Sequence, residues 1–388
     1  MAAKRVRLAQ RRRAAGLSQE KLADHLGVER STVVRWETAV TEPQPWVRPE
    51  LARALKVTSD ELQSLLDDIT ITEAAPSERL AHILEHPEQA DLVTVAQLHE
   101  RIRQLDEQYD QVPSVALIGS AGQVHGQVKL LRRNARNHRV RKALCEVEAE
   151  ATIFMSQLVW DVSQRRDHTA PLAYLDEAVT AARHIRDSFT ESYAVLRKSF
   201  VALYGENDPA KGVALAEHAT EVAHQSSPSL EGLGWLHVAE GHAMAGEGGA
   251  CEAALAHAET QFDRMHPDDI GAEYYTASEY NRMAGSCYLF LGQPQRAEPI
   301  LQATATALDA KKKSQAIVFG NLTLSLIRQR KLDEARSAMH RTIDAVELTR
   351  GGGGLNVVFA AGRELRPWRQ EPWVQDVQDR LLALMAAI

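Results

Sequence analysis

Apolar residues recur at helical spacing along most of the chain, and no stretch sustains the two-residue alternation of a half-buried strand. An all-α fold follows. Between residues 4 and 66 the periodic segments are short, about five of them, broken by Gly16, Gly27 and the Pro43/Pro45/Pro49 cluster. Thr58, three residues before Glu61, opens the last of them with a capping-box pattern. In the stretch GLSQEKLADHLGVERSTVVRWE (16–37), Leu22, Ala23 and Leu26 share one face of a first helix. Val28, Val33 and Trp36 give the following helix its inward side. Ser18 is placed to cap the first helix, and Gly27 to take the left-handed turn between the two. Glu29, Arg30, Ser31, Val34 and Arg35 are then left facing outward, a short helix with apolar seating below and hydrogen-bonding groups above.

Residues 67–78 (DDITITEAAPSE) mix polar, β-branched and proline positions and read as a linker. Residues 79–142 carry longer amphipathic periods as a helical connecting region. From 143 to 350 a loose internal repeat appears: a helix, a short polar or glycine turn, and a second helix opening near a small residue. The turns are RRDHTAP (165–171), GENDPAKG (205–212), GEGGAC (246–251), GQPQRA (292–297) and RKLDEA (330–335). Their last residues, Pro171, Gly212, Cys251, Ala297 and Ala335, recur at intervals of 41, 39, 46 and 38. Four positions on come Leu175, Ala216, Leu255, Leu301 and Met339. Small residues at a helix crossing let two helices approach closely, and stacked helix pairs bury faces that one pair cannot. A right-handed α-solenoid with a concave surface is expected. Gly351–Gly354 is expected to interrupt the array, with residues 351–388 as capping helices.

Charge changes the picture. The formal net charge is −7, yet residues 1–66 hold 12 Lys/Arg against 8 Asp/Glu, leaving 33 against 44 in the remainder. A small basic head on a large acidic body points the head, and not the body, at a polyanion. No apolar run approaches the roughly 18 residues of a membrane span, and the N-terminus lacks the apolar core of a signal peptide, so a cytoplasmic protein with no membrane partner is expected. Cys145, Cys251 and Cys287 are far apart in helix-patterned segments and read as small core residues.

The stretch 16–37 resembles the Cro/repressor (Xre-type) helix-turn-helix family, whose pattern LSQxxLAxxLGVsxSTVxRWE it matches almost throughout. The likeness continues through PELARALKVTSDEL (49–62). It implies a five-helix DNA-binding domain over residues 1–66 whose second motif helix enters the major groove of double-stranded DNA. In that family the glutamine opening the first motif helix contacts the DNA backbone, which falls on Gln19. The outward residues of the second read base edges, which fall on Arg30, Ser31, Val34 and Arg35. Thr32 and the Arg11–Arg13 run, Arg12 in particular, are candidates for phosphate contacts. Three positions depart from the pattern: Glu29 stands where Ser or Thr usually caps the helix, Ala39 replaces a glycine, and Val34 replaces a polar residue. Glu29 can accept from cytosine and Val34 can pack on a thymine methyl.

The repeat turns, with Gly285, Tyr288 and Trp235, resemble tetratricopeptide repeats with long spacing. A head of this type on such repeats is similar to the Gram-positive peptide-pheromone receptors that regulate transcription. That resemblance implies a homodimer on a palindromic operator, with a concave surface that binds a peptide or small-molecule effector. Counting back from the small positions places Gln157, Arg197, Lys198, His237, Glu240, Arg282, Ser286 and Asn321 on that surface, a lining suited to a peptide backbone and its carboxylate. The competing reading is a solvated groove with internal ion pairs, in a scaffold that binds DNA constitutively and recruits a partner protein through its repeats.

Weaker signals carry less. The basic run KLLRRNARNHRVRK (129–142) is a candidate for contact with flanking DNA, but a solvated inter-helix turn is the favoured reading. GSAGQVHG (119–126) reads as a helix kink or loop, since it lacks GxGxxG and a following GK[ST]. His82 and His86 stand four apart without a third ligand, so no metal is expected. No cofactor motif and no catalytic constellation recommends an enzyme.

Overall fold

The computed structural model describes all residues except 1–2, 39–40, 68–69, 72–77, 267, 309–311, 350 and 387–388. Among the described residues there are twenty α-helices and a single two-stranded pairing, Ala3–Lys4 (β1) with Thr70–Ile71 (β2), antiparallel. The second strand lies within the stretch expected to be a linker. Contacts divide the chain into residues 1–82 and 83–388.

The first unit is built on five short helices: α1 (Val6–Ala14), α2 (Gln19–Leu26), α3 (Arg30–Glu37), α4 (Arg48–Leu55) and α5 (Ser59–Asp67). Local chemistry sets their ends. The Ser18 hydroxyl accepts from the Lys21 amide at the start of α2, and Gly27 closes that helix at φ 64°, a conformation that costs a glycine little. Thr58 and Glu61 form the expected reciprocal box, with Thr58 N donating to Glu61 Oε2 at 2.8 Å and Glu61 N to Thr58 Oγ1 at 3.2 Å. Leu8, Leu22, Ala23, Val33, Trp36, Leu51, Leu55, Leu62 and Leu66 form one core, with Leu26 and Val28 packed half-buried against it. Lys56 ends α4 in the left-handed region at φ 53°.

The division at 82/83 falls within α6 (Glu78–Glu85), which is followed by α7 (Leu92–Glu107), α8 (Ser114–Asn134) and α9 (His138–Val162). GSAGQVHG lies wholly inside α8 and is not a loop. Ala121, Val124, His125 and Val128 are buried there, a face at helical spacing interleaved with the glycines. The basic run 129–142 likewise is mostly helix; only Ala135–Asn137 lies between α8 and α9.

The predicted turns join α9 with α10 (Thr169–Ile185), α11 (Ser188–Phe200, continued by a π-helical turn, Val201–Glu206) with α12 (Pro209–Ala223), and α13 (Pro228–Met244) with α14 (Gly248–Thr260). Next come α15 (Ala277–Phe290) with α16 (Pro294–Ala307), α17 (Lys312–Arg328) with α18 (Leu332–Thr349), and finally α19 (Gly352–Glu364) and α20 (Pro372–Ala386). Helices α9, α11, α13, α15, α17 and α19 pack on one another as one layer. The even-numbered helices α10–α18 each bridge two consecutive members of it, which is the packing of a helical-pair solenoid.

The small positions sit where the repeat places them. Pro171, Gly212, Cys251, Ala297 and Ala335 are buried, as are Leu175, Ala216, Leu255, Leu301 and Met339 four residues on from each. A Cβ on Gly285 would stand 2.6 Å from Leu301 Cδ2, so α15 and α16 cross too closely for any larger residue. The long interval of 46 has a cause: α14 and α15 are separated by residues 261–276, whose described part holds only a short 3₁₀ helix, Phe262–Arg264. Asp269 Oδ1 there accepts from Ser227 Oγ at 2.6 Å, and Tyr275 is buried with its hydroxyl on Ala258 O at 2.5 Å.

Gly351–Gly354 does not interrupt the array. Gly352 takes φ 71°, and Gly354 lies so close to α17 that a Cβ would meet Ala316 Cβ at 2.7 Å. The glycines let α19 join the same layer. The three cysteines are free and buried.

Candidate nucleic-acid interface and polar layer of the helical body

The DNA-reading candidates divide sharply by burial. Glu29, Arg30, Ser31 and Arg35 are exposed on α3, with Thr32 and Val34 half-buried. Arg30 and Arg35 have no side-chain partner among the described residues. Glu29 occupies the N-cap without capping; its Oε2 accepts from Ser31 Oγ at 3.0 Å instead. The weak cap expected at this departure is observed. The departure at Ala39 lies outside the described residues.

Arg12 is elsewhere. Its guanidinium is buried: Nε donates to Glu37 Oε1 at 2.6 Å, and the Nη atoms donate to Leu17 O at 2.7 Å and Glu37 Oε2 at 3.3 Å. A phosphate contact by Arg12 is thereby excluded, because the side chain points into the core to pair a buried carboxylate that would otherwise be uncompensated. Gln19 joins the same network, its Nε2 donating to Glu37 Oε2 at 2.7 Å, and is half-buried. Its position at the start of α2 fits the expected backbone contact, but its amide is already engaged. Arg13, by contrast, is exposed.

No motif in the sequence marks Arg5. Only 2% exposed, it donates to Leu66 O at 2.5 Å, Trp36 O at 2.9 Å, Thr41 O at 3.0 Å and Glu42 Oε1 at 3.0 Å. It ties the end of α3 to the end of α5. The two buried arginines clamp the seat, while the two exposed ones stand on it.

In the body, most of the groove candidates lie in the odd-numbered helix layer and meet one another. Asn321 Nδ2 donates to Ser286 Oγ at 2.7 Å, and Arg282 Nε to Glu279 Oε2 at 3.0 Å. Tyr204 hydroxyl donates to Glu240. Burial pushes the Glu240 carboxyl up to about 7, with Tyr204 and Arg282 opposing the shift. Arg197 stacks on the Phe200 ring at 4.7 Å, and Phe200 in turn lies 3.9 Å from the His237 ring. His237 is 1% exposed, and neither ring nitrogen has a hydrogen-bond partner among the described residues. Burial, then the nearby Arg282 and Arg197, hold its imidazole well below the usual range, so it is neutral. Gln157 is half-buried on α9. Lys198 departs from the group: its ammonium pairs with Asp176 on α10 at 2.6 Å, toward the even-numbered helices.

A second buried cluster was invisible in the sequence. Asp161 at the end of α9 accepts from Tyr109 hydroxyl at 2.6 Å and Ser114 Oγ at 3.1 Å, and Lys313 of α17 lies 3.6 Å away. Lys313 Nζ donates to Ser114 Oγ at 2.8 Å, and Arg165 Nε reaches Asp161 Oδ1 at 3.4 Å. Burial works against the Asp161 charge, but Arg165 and Lys313 hold the carboxyl below the usual carboxylate range. Burial pushes Lys313 down to about 8. This cluster fastens the start of α17 to the end of α9, two elements far apart in the chain.

The head is thus a helix-turn-helix domain, and the body a solenoid of helical pairs. The family described as "Helix-turn-helix domain" matches residues 5–65. Among solved structures, the chain aligns with the crystal structure of Bacillus thuringiensis PlcR in complex with the peptide PapR7 and DNA. The alignment has 12% identity and a TM-score of 0.40, covering 85% of this chain and 98% of that one. A search of curated proteins finds no match.

Proposed function

We propose that the protein is a sequence-specific DNA-binding transcription regulator. It acts as a homodimer, α3 of each head lying in the major groove of one half of a palindromic operator. The observation that carries this reading is the pairing state of the arginines: Arg30 and Arg35 stand exposed, without a side-chain partner among the described residues, on a helix whose seat is clamped by Arg5 and Arg12. Donors that are free on a rigid support are what base-edge readout requires.

The body senses a peptide or small-molecule ligand through its odd-numbered layer. What supports this is His237, a buried imidazole without a hydrogen bond, beside a Glu240 that titrates near neutrality. The mutual pairing of Asn321 with Ser286 and Arg282 with Glu279 favours instead the scaffold reading, in which those polar groups are already satisfied and DNA binding is constitutive.

Selection of bound duplexes from a random pool tests the first part: an enriched palindrome supports it, and no enrichment refutes it. Repeating the binding with fractionated cell extract separates the two readings of the body. A shift in operator affinity caused by a small-molecule or peptide fraction supports sensing, whereas unchanged affinity with a stoichiometric protein partner supports the scaffold.

A further inference from the structure

The acidic body carries one concentrated exception to its charge. The segment 129–142 contains seven Lys/Arg and no Asp/Glu, in a region where acids outnumber bases. Where this segment meets the end of α10, the surface forms a pocket of about 220 Å³ lined by Arg132, His138, Arg141, Lys142, Cys145, His184, Ile185 and Arg186. Three helices contribute: Arg132 from the last turn of α8, His138 through Cys145 from the start of α9, and His184 through Arg186 from the end of α10. No carboxylate lines it.

The charges are only partly compensated from outside. Arg132 is held by the buried Glu148, and Lys142 lies 4.0 Å from Glu146. His138, Arg141, His184 and Arg186 have no side-chain partner among the described residues. Arg132, Arg141, Lys142 and Arg186 bring several cations to one small space, where their charges repel one another, and an anion there relieves that repulsion. A phosphate group carries close to two charges and three strong acceptor oxygens, which suits donors converging from three helices better than a flat, singly charged carboxylate does. The volume falls below the roughly 300–1,000 Å³ of a site that encloses a whole drug-sized ligand, so the pocket fits one charged group and not an entire nucleotide.

We propose that this pocket binds a phosphate group, carried either by a soluble phosphorylated molecule or by a nucleic-acid backbone. Inorganic phosphate titrated calorimetrically into the full chain binds saturably. The double variant R141Q/R186Q weakens that binding by about tenfold or more, while R133Q/R139Q, which removes equal charge from exposed positions outside the pocket, changes it by less than about twofold. Arg186 holds a left-handed helix end at φ 60°, so R141Q alone is measured alongside and shows a loss without touching that turn.

A second arm titrates a short duplex of unselected sequence. If R141Q/R186Q lowers duplex affinity and flattens its salt dependence while R133Q/R139Q does not, the phosphate belongs to a nucleic-acid backbone. If duplex binding is unchanged while phosphate binding is lost, the ligand is a soluble phosphorylated molecule. Absence of saturable phosphate binding together with unaltered duplex binding overturns the proposal. So do equal losses in the two double variants, which would reduce the site to diffuse positive charge.

Discussion

On α3, the Arg30 and Arg35 side chains stand in solvent with no partner among the described residues; on the odd-numbered layer of the body, Ser286, Asn321 and Glu240 are buried and hydrogen-bonded internally. Both regions concentrate polar residues among apolar ones, and sequence alone makes them look alike. They differ in what lies beneath. The head is too small to bury α3 on both sides, so its outer face stays open, and buried arginines hold the seat from within. The body stacks helix pairs on both sides of each member, so a polar residue on an inner helix must find a partner or remain orphaned. An exposed polar face therefore marks a surface for a partner. A buried polar layer holds the array together, and among the described residues His237 is one of its few members left without a hydrogen bond.

The contrast breaks most severely at the clamp. Glu37→Ala leaves the Arg12 guanidinium buried without its carboxylate and is expected to cost the head about 3–5 kcal/mol, a loss read as faster amide hydrogen exchange confined to α1–α5 in the full chain. Protection equal to wild type would mean that Arg12 is a surface residue after all.

In the body, Glu240 gives a pH signature. Folding raises its carboxyl from the ordinary 4.5 to about 7, so between those values the folded chain holds a proton that the unfolded chain has released. The body loses stability as pH rises through that interval, by about 1–3 kcal/mol, and is flat beyond it. Glu240→Gln flattens the profile; an unchanged slope in denaturant titrations at pH 5 and pH 8 would assign it to other groups.

The smallest effect is at a helix start. Thr58→Ala removes one half of the α5 capping box and lowers head stability by about 1 kcal/mol, a few degrees in melting temperature.

The two regions were also unequally legible. In the head, local rules sufficed: Ser18, Gly27, the Thr58–Glu61 box and the inward set Leu22, Ala23, Val33 and Trp36 all act within a turn or two of their own positions. Arg12 misled because three consecutive arginines look solvated, and only the packing of α1 against α3 shows that one of them turns inward to Glu37. In the body, the small-residue spacing revealed the hairpins, and the insertion at 261–276 accounts for the one long interval. The Asp161–Lys313 cluster left no local trace, because it arises where α17 returns to α9. Gly351–Gly354 looked like a break for the same reason. A glycine run reads as a loop until the helix it must approach, α17, is in place.

The central claim is that Arg30 and Arg35 read bases from a seat that Arg12 only supports, and base-resolved selection tests it most directly. Arg30→Ala and Arg35→Ala, each in the full chain, should relax preference at defined positions of the selected operator by about 1–3 kcal/mol of discrimination while leaving head stability unchanged. Selection of the same operator, with the same preference at every position, by both variants would contradict it.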